Sequence, residues 1–201
     1  MIRSLLAILL FAAPATFTNN QSSVPADGPS YRANGELKMP ENYREWIFLT
    51  AGIDMSYSAT ADPAHSVFDN VFVNPSAYRE FLKTGTWPDK TVLVLENRGA
   101  EGAASINKRG HTQSANITGL EVHIKDSSKG GWTFYGFDNP STGKPFPASA
   151  SCYSCHQQHA VVDTTFVQFY PTLLGIAKAK KTINPELLKE LEPLPAAAQA
   201  K

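Results

Sequence analysis

The chain has only two cysteines in 201 residues, no visible internal repeat, and no excess of charge, with 18 basic against 18 acidic side chains. Two cysteines cannot build a disulfide framework, so stability has to come from a packed core, and 42% hydrophobic composition is enough to bury one. The balanced charge supplies neither the basic surface that nucleic acid needs nor a polybasic membrane patch. The most apolar run, Leu5 to Ala12, falls well short of the roughly 20 residues a spanning helix needs, so no membrane span is expected once it is removed.

That short run sits in MIRSLLAILLFAAPA, after Arg3 and before small residues around Pro14. The pattern predicts a secretory signal over 1–15, cut near Ala15, which implies a periplasmic or secreted protein. Residues 16–30 are polar, proline-bearing and without period, as in a flexible leader. The folded domain is expected over 31–178, with a short helix and tail over 179–201.

Along the domain, NYREWIFLTAGI from Asn42 suits a strand or a short helix leading into one. The run Val67 to Val73 reads as a strand that meets Asn74 as a cap, Pro75 at the first helical position and Gly85 as a stop. Residues 91–96, 117–125 and 131–137 have the apolar, alternating or aromatic character of strands, while 99–116 reads as a long glycine- and serine-bearing loop suited to a functional or interface role. Val162, Phe166, Phe169 and Leu173 recur at helical spacing, which predicts one C-terminal helix with residues 152–156 at its start. Asn184 and Pro185 open another short helix. About four or five strands with two to four helices make an α+β single domain, a mainly antiparallel β-sheet with packing helices, the economical architecture.

Both cysteines lie in Cys152-Tyr153-Ser154-Cys155-His156. This is the spacing of a haem c attachment site, in which two thiols add to the vinyl groups and the adjacent histidine ligates iron. On a helical turn, residues three apart face the same way, so both thiols can reach one haem edge. A disulfide, redox-active or structural, is a competing reading in an exported protein. Zinc would need a tetrahedral set for which the chain offers only two thiols and a crowded histidine. A chance match is the third alternative, but export is what covalent haem attachment requires in bacteria-like systems, and the N-terminus points independently to export.

The blocks YREWIFL (43–49), VFDNVFVNP (67–75), TGTWPDKTVLVLE (84–96), GLEVHIKD (119–126) and CHQQHAVVDTTFVQFYPTL (155–173) resemble the cytochrome P-460 family, including its cytochromes c′-beta, in family order. The resemblance implies an exported, mainly antiparallel β protein. It would be a homodimer with one haem c, His156 as the proximal ligand, an open distal side and electron exchange with a redox partner protein. Family members that oxidise hydroxylamine carry a lysine joined to the porphyrin. Residues 47–67, where that lysine aligns, contain none, and Asp62 is nearest the expected place. The likeness therefore leans toward the c′-beta type, which binds nitric oxide and other small gases behind a hydrophobic cap.

The resemblance also makes Glu121 a candidate pocket carboxylate that relays protons. Strand alternation groups Glu121 with His123 and Lys125, and a solvated face is the alternative. Met55 could supply a soft axial ligand and give a His/Met electron carrier, or simply fill core space. Phe68 and Phe48 are candidate distal caps, with ordinary core packing as the alternative. Arg44 and His159 are candidates to meet a propionate or to orient the site, and His65 could approach the iron from its loop; each also reads as a surface residue.

Overall fold

The computed structural model describes residues 26–56 and 66–193. The signal, most of the leader, Asp62, His65 and the last part of the tail lie outside the described residues. Seven strands, all paired antiparallel, form one sheet: β1 (Leu37–Lys38), β2 (Ile47–Ile53), β3 (Val67–Val73), β4 (Val92–Glu101), β5 (Thr112–Asp126), β6 (Gly131–Asn139) and β7 (Thr142–Pro145). Their order is β1-β7-β6-β5-β4-β3-β2, so neighbours in the chain are neighbours in the sheet except where β1 closes on β7. With helices α1 (Pro75–Thr84), α2 (Ser151–His159) and α3 (Pro171–Lys180), this is the expected α+β domain.

The sheet is buried on both faces. On one side Leu49, Val73 and Leu93 join Phe81, Trp87, Val161, Leu173 and Ala177 from the helical layer. On the other, Val92, Val94, Val122 and Ile124 pack with Leu37, Tyr43 and Tyr135. A central strand covered twice needs apolar residues at successive positions, which explains the unbroken Val92-Leu93-Val94-Leu95 run.

Helix α1 begins at Pro75, as the sequence predicts, and stops at Gly85, whose φ of 78° is the left-handed cap conformation. Asn74 does not cap it with its side chain. Its Oδ1 accepts from Val92 N at 2.8 Å, tying the helix start to β4, while Asp27 accepts from Ser76 N at 2.7 Å. The passage into β2 is a 3-10 turn over Tyr43–Glu45, and a second 3-10 segment over Pro185–Leu191 is capped by Asn184.

Three expectations need correction. The strands β1 and β7 are additional to the five longer ones, because Leu-Lys and Thr-Gly-Lys-Pro are too short to show alternation. The loop expected over 99–116 shrinks to 102–111, since β4 continues to Glu101 and β5 starts at Thr112, the hairpin absorbing its small residues in two register shifts. The single C-terminal helix is three pieces: α2 ends at His159, Val162 and Thr165 close a tight turn, and a 3-10 turn over Val167–Phe169 precedes α3. Pro171 keeps Tyr170 extended, and consecutive left-handed residues at Asp163 and Thr164 prevent a continuous helix whatever the apolar spacing.

Candidate functional site

Between the sheet and the C-terminal segments lies a cavity of about 550 Å³. Its floor follows from strand alternation. Thr50, Val71, Leu95 and Glu121 are paired one to the next across β2, β3, β4 and β5 and line the cavity as a row, with Asp69, Leu93 and His123 on the same face. Cys152 and His156, one helical turn apart on α2, line the opposite side with Phe166, Phe169 and Tyr170. The size and largely apolar lining suit a small organic molecule or cofactor.

Helix α2 is weakly amphipathic and buries no residue completely, so its placement depends on particular contacts. Tyr153, between the two cysteines, stacks on Phe134 of β6 with ring centroids 4.5 Å apart, and its hydroxyl accepts from Phe134 N at 3.0 Å. Phe134 in turn stacks on His123 at 3.9 Å. His156 sits inside this aromatic cluster, 4.7 Å from Phe134, 4.4 Å from Phe166 and 5.1 Å from His123. Burial pushes the His156 imidazole down to about 4, with His123 adding to the effect, so it is neutral near pH 7. Its Nδ1 bonds the Thr164 carbonyl at 2.8 Å; since a carbonyl only accepts, Nδ1 carries the proton and Nε2 the lone pair.

The cysteines are not joined to each other, and both are partly buried on α2. Cys152 lines the cavity, whereas Cys155 lies beside it on the same turn. Among the described residues no three His, Cys, Asp or Glu side chains gather as metal ligands, so the zinc reading finds no support there. The residues fit a haem c instead: one thiol and a neutral imidazole on one cavity wall, a second thiol on the same helical turn, and a floor in which Val71, Leu93 and Leu95 are the apolar part. The buried His123 Nε2 has no hydrogen-bond partner and could meet a polar edge of the group.

Two carboxylates share the cavity. Glu121 is held below the usual carboxylate range by the His123 imidazole, whose Nε2 is 3.7 Å from Glu121 Oε2, outside hydrogen-bond range. Asp69 is raised by burial, with Asp54 and Glu121 adding to the effect against a hydrogen bond from Asn97. Of the Glu121, His123 and Lys125 face, Glu121 and His123 line the cavity, with 41% of the Glu121 side chain exposed, and Lys125 is ion-paired to Asp163.

Met55 lines the cavity near the end of β2, its side chain lying over Gly52, where a β-carbon would collide with its sulfur. Phe48 and Phe68 are not among the lining residues. Both share the face of Phe72, which Phe48 contacts at 5.7 Å, and alternation turns that face away from Asp69 and Val71; Phe48 is 51% exposed. Arg44 is also on the far side, bound to Glu96 through Nη2 at 2.6 Å. His159 pairs with Glu190 at 3.1 Å instead of facing the cavity. His123, Asp69, Phe134 and Phe166 had no local signal strong enough to single them out. Only the alternation around Glu121 marked His123 at all.

No curated protein sequence matches the chain. The family model for cytochrome P460 matches residues 40–167, well over half of the chain, and its span includes the cavity floor and the Cys152–His156 motif. A floor built by alternation across β2 to β5, a haem c motif on the facing helix and this match agree: the chain belongs to the cytochrome P460 family, whose members are haem c proteins.

Proposed function

We propose that this chain is an exported mono-haem c protein that binds a small nitrogen-oxide or gaseous ligand and exchanges electrons with a redox partner protein. Cys152 and Cys155 would hold the haem covalently and His156 would ligate its iron. The observation that carries this reading is His156 itself: a neutral, half-buried imidazole, directly after the second cysteine, with its Nδ1 proton already committed. When bound, the group supplies an iron that changes oxidation state and accepts a small ligand.

The chain's own residues do the rest. Burial keeps His156 in its coordinating form, and the Thr164 carbonyl leaves Nε2 as its free nitrogen. Val71, Leu93 and Leu95 keep the floor apolar and limit water. Glu121, held below the usual carboxylate range beside His123, and Asp69, raised by burial, are the two acidic side chains that face the cavity. With no lysine at 47–67, ligand binding is favoured over hydroxylamine oxidation. Met55 at the cavity supports a second reading, a His/Met electron carrier. Phe48 and Ile53, both exposed on the edge strand β2, are apolar surface of the kind a homodimer would cover, and the signal at 1–15 supports a periplasmic or secreted location.

The test is the full chain produced in a host able to mature cytochromes c. Its mass should include one haem, and acidified organic solvent should strip that haem only after both cysteines are changed to alanine. A bare chain, or haem lost from the parent under the same extraction, would refute the proposal. A high-spin spectrum that shifts with nitric oxide supports the ligand-binding reading; a low-spin one resistant to it supports Met55 coordination, and hydroxylamine turnover supports the enzyme.

A further inference from the structure

We propose that Lys125 and Asp163 form a clamp that positions the His156 imidazole through the Thr164 carbonyl, and so tunes how strongly that imidazole donates to iron. The inference rests on His156 being the iron ligand.

The starting observation is a strained turn. Val162 and Thr165 exchange backbone hydrogen bonds, Thr165 N to Val162 O at 2.8 Å and Val162 N to Thr165 O at 3.4 Å. The two residues between them, Asp163 and Thr164, have φ of 49° and 55°. Turns of this kind normally use Asn and Gly, because the left-handed region costs an ordinary residue about 1–2 kcal/mol and a β-branched one is the poorest fit. Neither residue here is glycine, and Thr164 is β-branched. Such strain persists only where its surroundings over-determine it, and it collects at functional sites.

The surroundings here are specific. The Asp163 carboxylate is ion-paired to Lys125 Nζ, which projects from β5 two residues beyond His123 and also donates to the Trp87 carbonyl at 2.7 Å. The Trp87 indole N–H donates to Thr165 Oγ1 at 2.8 Å, and that hydroxyl donates to the Val162 carbonyl at 2.7 Å. The turn is thus tied at its tip to the sheet and at its base to the segment after α1. What the strained conformation delivers is one atom, the Thr164 carbonyl oxygen, 2.8 Å from His156 Nδ1. A carbonyl accepting that proton makes the imidazole a stronger donor through its other nitrogen and stops the ring from rotating. Lys125 and Asp163 are therefore positioning residues: neither lines the cavity, and both act through Thr164.

A merely structural pin would change the melting temperature alone, whereas a positioning clamp also changes the bond it orients. The experiment uses the haem-loaded full chain and three variants: Lys125→Met, Asp163→Gly, which keeps the left-handed turn without strain, and Lys125→Arg. The readouts are the iron–histidine stretching band of the ferrous protein and the reduced-to-oxidised ratio at one fixed ambient potential. The first two variants should lower the band's frequency and raise the ratio by roughly threefold, as a Thr164 carbonyl no longer held by the Lys125–Asp163 pair takes the Nδ1 proton less firmly and histidine donation weakens. Lys125→Arg should return both toward the parent. If Lys125→Met fails to accumulate, Asp163→Gly decides the matter by itself. A parent band indifferent to the substitutions overturns the clamp and leaves the haem reading standing. A haem-loaded parent with no iron–histidine band overturns the ligation and the clamp together.

Discussion

Replacing Glu96 by glutamine should cost the fold about 3 kcal/mol, although Glu96 touches no part of the cavity. Its side chain is 3% exposed on the face opposite the cavity and accepts from the Tyr43 hydroxyl, from Arg44 Nε and Nη2, and from Arg98 Nε. Glutamine has the same shape but one oxygen fewer. Its amide nitrogen would turn toward Arg98, the side with a single donor, and leave two donors facing each other. A hydrogen bond to a charged group is worth roughly 1.5–3 kcal/mol, and leaving a buried charge without its partner costs about 3–5 kcal/mol. Arg98 keeps two backbone carbonyls, those of Ser114 and Ala115, which places the loss at the lower end. For a domain of this size that is about 6–12 °C in Tm. Arg44 is 53% exposed, so Arg44→Met should cost less than about 1 kcal/mol and serves as the control.

The effect also has a pH signature. Burial alone would raise the Glu96 carboxyl, but the hydrogen bonds from Arg98, Tyr43 and Arg44 outweigh it and hold the group below its usual range. A carboxyl lowered by folding contributes stability that is full above its unfolded value, about 4.3, and is lost as pH falls through the folded one. The difference between parent and Glu96→Gln, followed by urea unfolding, should therefore be largest near neutrality and shrink below about pH 4. A difference under about 0.5 kcal/mol at pH 7, or one that grows in acid, would refute the reasoning.

Two further outcomes test the scaffold around the site. Gly85→Ala should destabilise by about 2 kcal/mol in thermal unfolding, because φ is 78° there and the new β-carbon would lie 2.6 Å from Lys180 Cβ. Tyr153→Phe keeps the stacked ring but leaves the Phe134 N–H without its acceptor, so about 1–2 kcal/mol should be lost in urea unfolding while the haem stays attached.

Much of the site's chemistry could be read locally. Cysteines three apart with a following histidine need only one helical turn to act together, and α2 forms that turn from the residues themselves. The strand-to-helix passage at Val73, Asn74 and Pro75 and the stop at Gly85 are set by proline's fixed φ and by glycine's tolerance of positive φ, both properties of single residues. Glu121 could be paired with His123 by period alone, but period could not say whether their face meets solvent or a cavity.

Family membership and a haem c motif were thus legible in the amino-acid sequence, because they depend on residue types at short, fixed spacings. Which side chains surround His156 was decided only by the tertiary structure. Phe134, Phe166 and Lys125 reach the neighbourhood of His156 from separate elements, and a long-range contact leaves no mark on local periodicity. Alternation of the pleat removed Phe48 and Phe68 from the cavity, since it sends neighbouring residues to opposite faces of the sheet, and Arg44, in the 3-10 turn before β2, is held on the far side by Glu96.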